Sequence, residues 1–158
     1  MERKTKILAE NGKQEIIITR EFELPLELLF QAYTDPAIIE QWMGTKVLKL
    51  QNQPHGSYQF ETTDPNGKVV FRANGTIHEF KPLQRITKTF EMENAPFGIQ
   101  LEFLEFEKLT DDTSKLTIHT LYKSAALRDQ ILQLPFAQGI NMAHNRLQDV
   151  VGKKMNIQ

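Results

Sequence analysis

The stretch PFAQGINMAHNRLQDVVGKKM, residues 135–155, decides the fold of this 158-residue chain. Pro135 suits the first turn of a helix, and Lys153 and Lys154 suit the negative end of its dipole. At about 100° per residue, one helical face collects the apolar side chains: Phe136, Ile140, Ala143, Leu147, Val150 and Val151. The sequence therefore predicts an amphipathic helix of about twenty residues, ~30 Å long, which needs a broad apolar partner.

The sequence before this helix supplies that partner as a series of strands. The segment EIIITREFE, residues 15–23, is rich in β-branched residues, which favour strands. Six further segments with strand patterns are separated by short turns: 47–51, 57–63, 68–80, 84–92, 97–109 and 114–122. Gly75 lies inside one of them and predicts a bulge or a bend. Because consecutive strands joined by short turns pair antiparallel, we expect one antiparallel sheet.

Three short helices are predicted beside the sheet. Two follow the first strand, at residues 25–34 and 37–42, and Asp35 is a good N-cap for the second. The third occupies residues 125–134, directly before the long helix.

The predicted fold class is α+β with a helix-grip arrangement. A curved antiparallel sheet of six to seven strands wraps around the long C-terminal helix, and two short helices follow the first strand. We expect a single domain over residues 1–158. Residues 1–13 are charged and lack periodicity, so they either fray or add a short edge strand.

The composition narrows the functional classes. The chain has 19 basic and 20 acidic residues, a formal net charge of −1, and lacks the basic character of nucleic-acid binders. It contains no cysteine, which excludes disulfides, thiolate catalysis and zinc–sulfur sites. No apolar run approaches the ~18 residues that span a bilayer, and the polar start lacks an export signal. We therefore expect a cytoplasmic protein without membrane insertion or nucleic-acid binding.

Cofactor and metal motifs are not found in the sequence. There is no Gly-rich phosphate loop, no nucleotide fingerprint and no pair of histidines at helical metal-binding spacing. We predict no cofactor, no metal site and no catalytic residue.

Two stretches resemble motifs of the SRPBCC superfamily, in the branch related to the heat-shock protein 90 ATPase activator domain. The first, ITREFELPLELLFQAYTDPAIIEQWMG at residues 18–44, has the strand, the Pro-started helix, the Thr-Asp-Pro step and a short helix ending in Trp42. Met43 stands where this family often has a second Trp, and Thr45 where a Pro is common. The second, NGTIHEFKPLQRITKTFE at residues 74–91, matches the pattern at Gly75, Glu79, Pro82, Arg85, Ile86, Thr89 and Phe90.

The resemblance implies a helix-grip fold, similar to the START and Bet v 1 folds. In that fold a cavity lies between the curved sheet and the C-terminal helix. The resemblance covers roughly residues 14–154. It does not assign one function, because the superfamily includes lipid carriers, cyclases, hydrolases and chaperone partners on one scaffold.

Candidate binding residues follow from the predicted cavity. Aromatic side chains on inner faces either form a cavity wall or simply pack the core. Thr87, Thr89 and Thr120 offer hydroxyl groups that could fix a polar group of a ligand. The predicted wall consists of Trp42, Phe60, Phe71, Phe90, Phe103, Thr120, Phe136, Ile140 and His144.

His144 and a group of glutamates are the titratable candidates. His144 lies ~65° from the centre of the apolar stripe, so it is a half-buried structural histidine, a ligand contact at the cavity mouth or a catalytic base. Glu105 and Glu107 share one face of their strand, and Glu102 lies on the other. Two carboxylates inside the cavity would allow acid–base chemistry; the alternative is a solvated outer face.

Three functions remain open. The first is binding of a hydrophobic small molecule or lipid-like ligand, which the sequence favours over an enzyme. The second, implied by the resemblance, is a chaperone-partner domain with a contact patch on the outer sheet face, at Arg72, His78, Lys88 and His119. The third is a cyclase or hydrolase of a hydrophobic substrate, for which His144 and one glutamate would have to meet inside the cavity.

Overall fold

The computed structural model describes residues 4–155 and has the predicted α+β architecture. Its elements in chain order are β1 (Lys6–Leu8), β2 (Glu15–Phe22), α1 (Leu26–Thr34), α2 (Pro36–Met43), β3 (Lys46–Leu50), β4 (Ser57–Thr63), β5 (Val69–Lys81), β6 (Arg85–Met92), β7 (Ile99–Lys108), β8 (Ser114–Leu121), α3 (Ala125–Gln133) and α4 (Phe136–Met155). The eight strands form one antiparallel sheet in the order β1-β2-β8-β7-β6-β5-β4-β3. The helix-grip fold is thereby confirmed.

The sheet has one strand more than the predicted six to seven. The added strand is β1, which pairs with β2 from Lys6↔Thr19 to Leu8↔Ile17. Of the two alternatives for the N-terminal segment, a short edge strand is therefore observed. Residues 1–3, which belong to the same expectation, lie outside the described part of the chain.

The two helices after β2 are fixed by local signals and by one buried hydrogen bond. The Asp35 side chain accepts a hydrogen bond from the Ala37 backbone N–H and caps α2. Gly44 ends α2 in the left-handed conformation, with a φ of 68° that favours glycine. The indole Nε1 of Trp42 donates to the carbonyl of Ala32 over 2.7 Å. This bond joins the end of α2 to α1.

Gly75 marks a close approach of three strands. Tyr58 on β4 lies directly opposite Gly75 on β5, and its hydroxyl donates to the Thr89 carbonyl of β6 over 2.5 Å. A Cβ atom at Gly75 would lie 2.0 Å from that carbonyl oxygen and 2.6 Å from the tyrosine hydroxyl. The register shift between β5 and β6 falls further on, between Ile77 and Glu79. Glycine is therefore needed at this position to leave room for a neighbouring strand and side chain.

The apolar stripe of α4 is buried to different depths along its length. Leu147 and Val151 are completely buried in the larger core cluster, which also contains residues of α1, α2 and the sheet. Phe136 and Ile140 are only half-buried and pack against a smaller cluster around Ile16. The N-terminal half of α4 therefore does not fully close against the sheet. Among the helices of residues 4–155, none is long and apolar enough to cross a membrane.

Candidate ligand-binding cavity

A cavity of about 460 Å³ lies between the inner sheet face, α2 and the N-terminal half of α4. Its volume falls within the ~300–1,000 Å³ that is usual for small-molecule sites. The apolar part of its wall consists of Ile18, Trp42, Met43, Phe60, Phe71, Phe90, Leu104, Ile118, Phe136, Ile140 and Ala143.

Seven of the nine residues predicted for the wall line this cavity. They come from α2, four strands and α4, which the fold brings together: Trp42, Phe60, Phe71, Phe90, Thr120, Phe136 and Ile140. On the strands, these positions obey the period of two that places alternate side chains on one face. Their contact with a ligand stays a prediction.

Phe103 does not belong to the wall, and its predicted placement is corrected. Its neighbour Leu104 is buried and lines the cavity, so Phe103 points to the opposite face of β7. There its ring lies 5.9 Å from the ring of His119, its direct partner on β8, measured between ring centroids. Phe103 therefore packs on the outer face of the sheet.

His144 is a buried core residue and not a ligand contact at the cavity mouth. Its Nδ1 lies 2.8 Å from the Thr5 hydroxyl, and its ring packs edge-on against Phe22 with centroids 5.6 Å apart. Burial, with a smaller contribution from the charge of Arg20, lowers the pKa of His144 to about 4. The imidazole is therefore neutral near pH 7. The enzyme hypothesis loses the histidine on which it depended.

A polar row, which no local sequence pattern predicted, crosses the inner face of the sheet. Lys88 on β6 lies directly opposite Glu102 on β7, and Glu102 lies directly opposite Thr120 on β8. All three line the cavity. The expectation that Lys88 belongs to an outer-face patch is wrong, because Ile86 and Phe90 face inwards and Lys88 shares their face.

Lys88 and Glu102 differ in how their charges are compensated. Within residues 4–155, no carboxylate oxygen lies within 4 Å of the Lys88 ammonium. Its Nζ lies over the Tyr58 ring, 4.8 Å from the ring centroid. Burial lowers the pKa of Lys88, and the negative charge of Glu102 opposes this shift. Glu102 itself accepts a hydrogen bond of 2.8 Å from the Gln100 side chain.

The remaining polar groups in the wall are neutral. Burial, together with the negative charge of Glu102, raises the pKa of Tyr33 and of Tyr122, so both phenols keep their protons. Thr87 and Thr89 lie on the outer face: Thr87 donates to Glu79, and Thr89 accepts from the Thr76 backbone N–H. Of the three predicted threonines, Thr120 therefore supplies a hydroxyl to the cavity.

The outer face carries compensated charges. Arg72 forms an ion pair with Glu61, and His119 contacts the Glu15 carboxylate. His78 is exposed on the same face. Across the described residues, no cluster of three or more histidine, aspartate or glutamate side chains could hold a metal ion.

Comparison with solved structures finds the same fold in several bacterial proteins. A protein from Rhodobacter sphaeroides superposes with a TM-score of 0.84 at 18% identity, over 95% of this chain and 99% of that one. Protein Ms6760 from Mycobacterium smegmatis gives 0.80 at 20% identity, over 93% and 96% of the two chains. A protein from Arthrobacter aurescens gives 0.82 at 15% identity, over 94% and 91%. At these identities the similarity shows a shared fold alone.

Sequence comparison identifies the family. A comparison with curated proteins found no significant match. The family model described as Activator of Hsp90 ATPase homolog 1-like protein matches residues 23–152, from the end of β2 to the last turn of α4. Membership of this family supports, in general terms, a role as a ligand-binding or chaperone-associated domain. The chain therefore belongs to the Activator of Hsp90 ATPase homolog 1-like family, within the SRPBCC superfamily.

Proposed function

We propose that the protein binds a hydrophobic small molecule in the cavity between the sheet and α4. The observation that carries this proposal is a concave, mainly apolar wall around about 460 Å³ that no side chain occupies. Protein interiors are normally packed as densely as organic crystals, whereas small-molecule sites are concave, mainly apolar pockets of about this size. A cavity of this size therefore favours a ligand over an imperfectly packed core.

The expected affinity follows from the apolar area that the wall can cover. A ligand that buries ~300 Å² of apolar surface gains ~7 kcal/mol at ~25 cal/mol per Å². The loss of translational and rotational freedom offsets part of this gain. Dissociation constants in the micromolar to millimolar range are therefore expected for apolar ligands without matched polar groups.

Titration with the neutral dye Nile red tests this proposal. Ala143 lines the cavity from α4, so Ala143→Phe should fill part of the space and weaken binding about tenfold or more. Ala137 is exposed on the same helix, and Ala137→Phe is the matched control that should leave binding unchanged. Fluorescence without saturation, or equal binding by both variants, would contradict a cavity site.

The family match supports a second candidate, association with a chaperone ATPase. Its contact surface would be the outer face of the sheet, where Arg72, His78 and His119 lie. The test is to measure ATP hydrolysis by the source organism's heat-shock protein 90 with and without this protein. An unchanged rate together with no co-purification would count against this candidate and leave the cavity proposal untouched.

A further inference from the structure

We infer that the preferred ligand carries a single acidic head group, a carboxylate, which binds the Lys88 ammonium inside the cavity. This inference rests on the proposed ligand-binding function and specifies the chemistry of its ligand. It places the polar end of the ligand at the polar row of the sheet and the apolar body against the aromatic wall.

The position of Lys88 is the first argument. Its strand, β6, lies well inside the eight-stranded sheet, with β5 and β7 paired on either side. In register, Lys88 lies between Ile77 and Glu102, and the row continues to Thr120 and then Ile16. A lysine at such a position cannot reach bulk water as easily as one at a sheet edge, and Lys88 lines the cavity.

Unmet hydrogen-bonding capacity is the second argument. An ammonium group has three donors and no acceptor. In the described part of the chain, no hydrogen bond and no ion pair to Lys88 is found, and an aromatic face at 4.8 Å satisfies it only in part. Glu102, by contrast, already accepts a hydrogen bond from Gln100. Lys88 is therefore the residue of the pair that needs a further hydrogen-bonding partner, whereas Glu102 already has a hydrogen-bond donor.

Among acidic acceptors, a monoanion adds the least negative charge beside Glu102 while still pairing with the Lys88 ammonium. A carboxylate next to Lys88 compensates the ammonium, which burial otherwise disfavours. A dianionic phosphate would add a second negative charge beside Glu102, which lies on the adjacent strand. A neutral alcohol could accept one hydrogen bond but would bring no charge to the ammonium, which then has only Glu102 on the adjacent strand as an opposite charge. Removal of the Lys88 charge should therefore weaken the binding of a carboxylate ligand, and removal of the Glu102 charge should strengthen it.

Displacement of Nile red by three ligands of equal chain length tests the inference: decanoate, decanol and decylamine. Decanoate should displace the dye at the lowest concentration from the unmodified protein. Lys88→Met should weaken decanoate about tenfold or more while changing Nile red and decanol little, because it removes the charge and keeps the chain. Glu102→Gln should strengthen decanoate, because it removes a neighbouring negative charge.

Two controls keep the result interpretable. Lys108→Met removes an exposed lysine at the end of β7 and should leave the order of the ligands unchanged. Lys88→Arg keeps the charge and should preserve the preference for decanoate. If Lys88→Met does not fold, Glu102→Gln still tests the inference, because unchanged or weaker decanoate binding in that variant would contradict it.

Each contrary outcome has a distinct meaning. Equal displacement by decanoate and decanol, in the unmodified protein and in Lys88→Met, would overturn the acidic-ligand inference and leave the cavity proposal standing. Best displacement by decylamine, lost in Glu102→Gln, would reverse the assignment in favour of a cationic ligand. Absence of saturable Nile red binding would overturn the proposed function and this inference together.

Discussion

At the scale of single residues, the alternation along a strand predicts which sheet face a side chain occupies more reliably than the polarity of that side chain does. Ile86 and Phe90 are apolar and two positions either side of Lys88, so alternation alone places Lys88 inside. Its charge suggests the solvated side, and that expectation is wrong here. The same alternation places Glu102 inside and Phe103 outside, because Leu104 is buried. These facings could be predicted from the sequence; the alignment of Lys88 with Glu102 across two strands required the register.

His144 should make stability depend on pH in a defined window. Its pKa is about 4 in the folded protein against an ordinary value of 6.5, so the unfolded chain binds more protons between these values. The contribution of neutral His144 to the free energy of unfolding is therefore complete above pH 6.5 and is lost as the pH drops towards 4. Each pKa unit corresponds to ~1.4 kcal/mol, so the loss approaches ~3 kcal/mol.

Urea unfolding across this pH range checks the prediction. His144→Gln removes the titrating group, so its stability should fall less steeply with decreasing pH than that of the unmodified protein. His119→Gln, which changes a partly exposed histidine on the outer face, is the control for general histidine effects. Parallel curves for the unmodified protein and His144→Gln would show that burial of His144 does not control this dependence.

At the scale of elements, local signals predicted most helices and strands. Alternation, turn sequences and N-caps act within a few residues, which is why the predicted segments correspond to α1 to α4 and to β2 to β8. The three-residue strand β1 has too few residues to show a pattern, and it exists because β2 offers a partner edge. The role of Arg128 in α3 also escaped prediction: beside its pair with Asp129, it contacts two carbonyl groups that lie more than a hundred residues earlier.

Arg128 should be the strongest polar contributor to the placement of α3. It is 1% exposed, and its guanidinium donates to the carbonyls of Glu10 and Glu15 over 2.7 and 3.2 Å. Arg128→Leu would leave these carbonyls without that donor, and we expect a loss of ~2–4 kcal/mol in the free energy of unfolding. Chemical denaturation measures this loss.

Arg85→Leu is the matched control for that measurement. Arg85 pairs with Glu79 with 44% of its side chain exposed, and surface ion pairs contribute ~0–1 kcal/mol. A similar loss in both variants would show that the two carbonyl contacts of Arg128 do not determine the position of α3.

At the scale of the whole molecule, α4 combines a structural half and a half that borders the cavity. The sequence predicted a continuous apolar stripe and could not show that its two ends are buried to different depths. That difference depends on the sum of side-chain volumes from many elements, which no local pattern contains. The existence of a cavity was therefore an expectation from the resemblance, and its size required the structure.

Two truncations in α4 should separate stability from binding. Leu147 is completely buried, so Leu147→Ala should cost ~2–5 kcal/mol in the free energy of unfolding and change Nile red affinity little. Ile140 is half-buried and lines the cavity, so Ile140→Ala should cost less stability and change the affinity more. Thermal unfolding and dye titration on both variants check this, and a reversed order would contradict the division of α4.

The missing side chain at Gly75 has a consequence for the chemistry of the cavity. Any methyl group there would push the Thr89 carbonyl, and with it the main chain of β6, away from β5. Lys88 is the residue next to Thr89, so its ammonium would be displaced by the same movement. The smallest residue in the chain thus sets the location of a positive charge that it never touches.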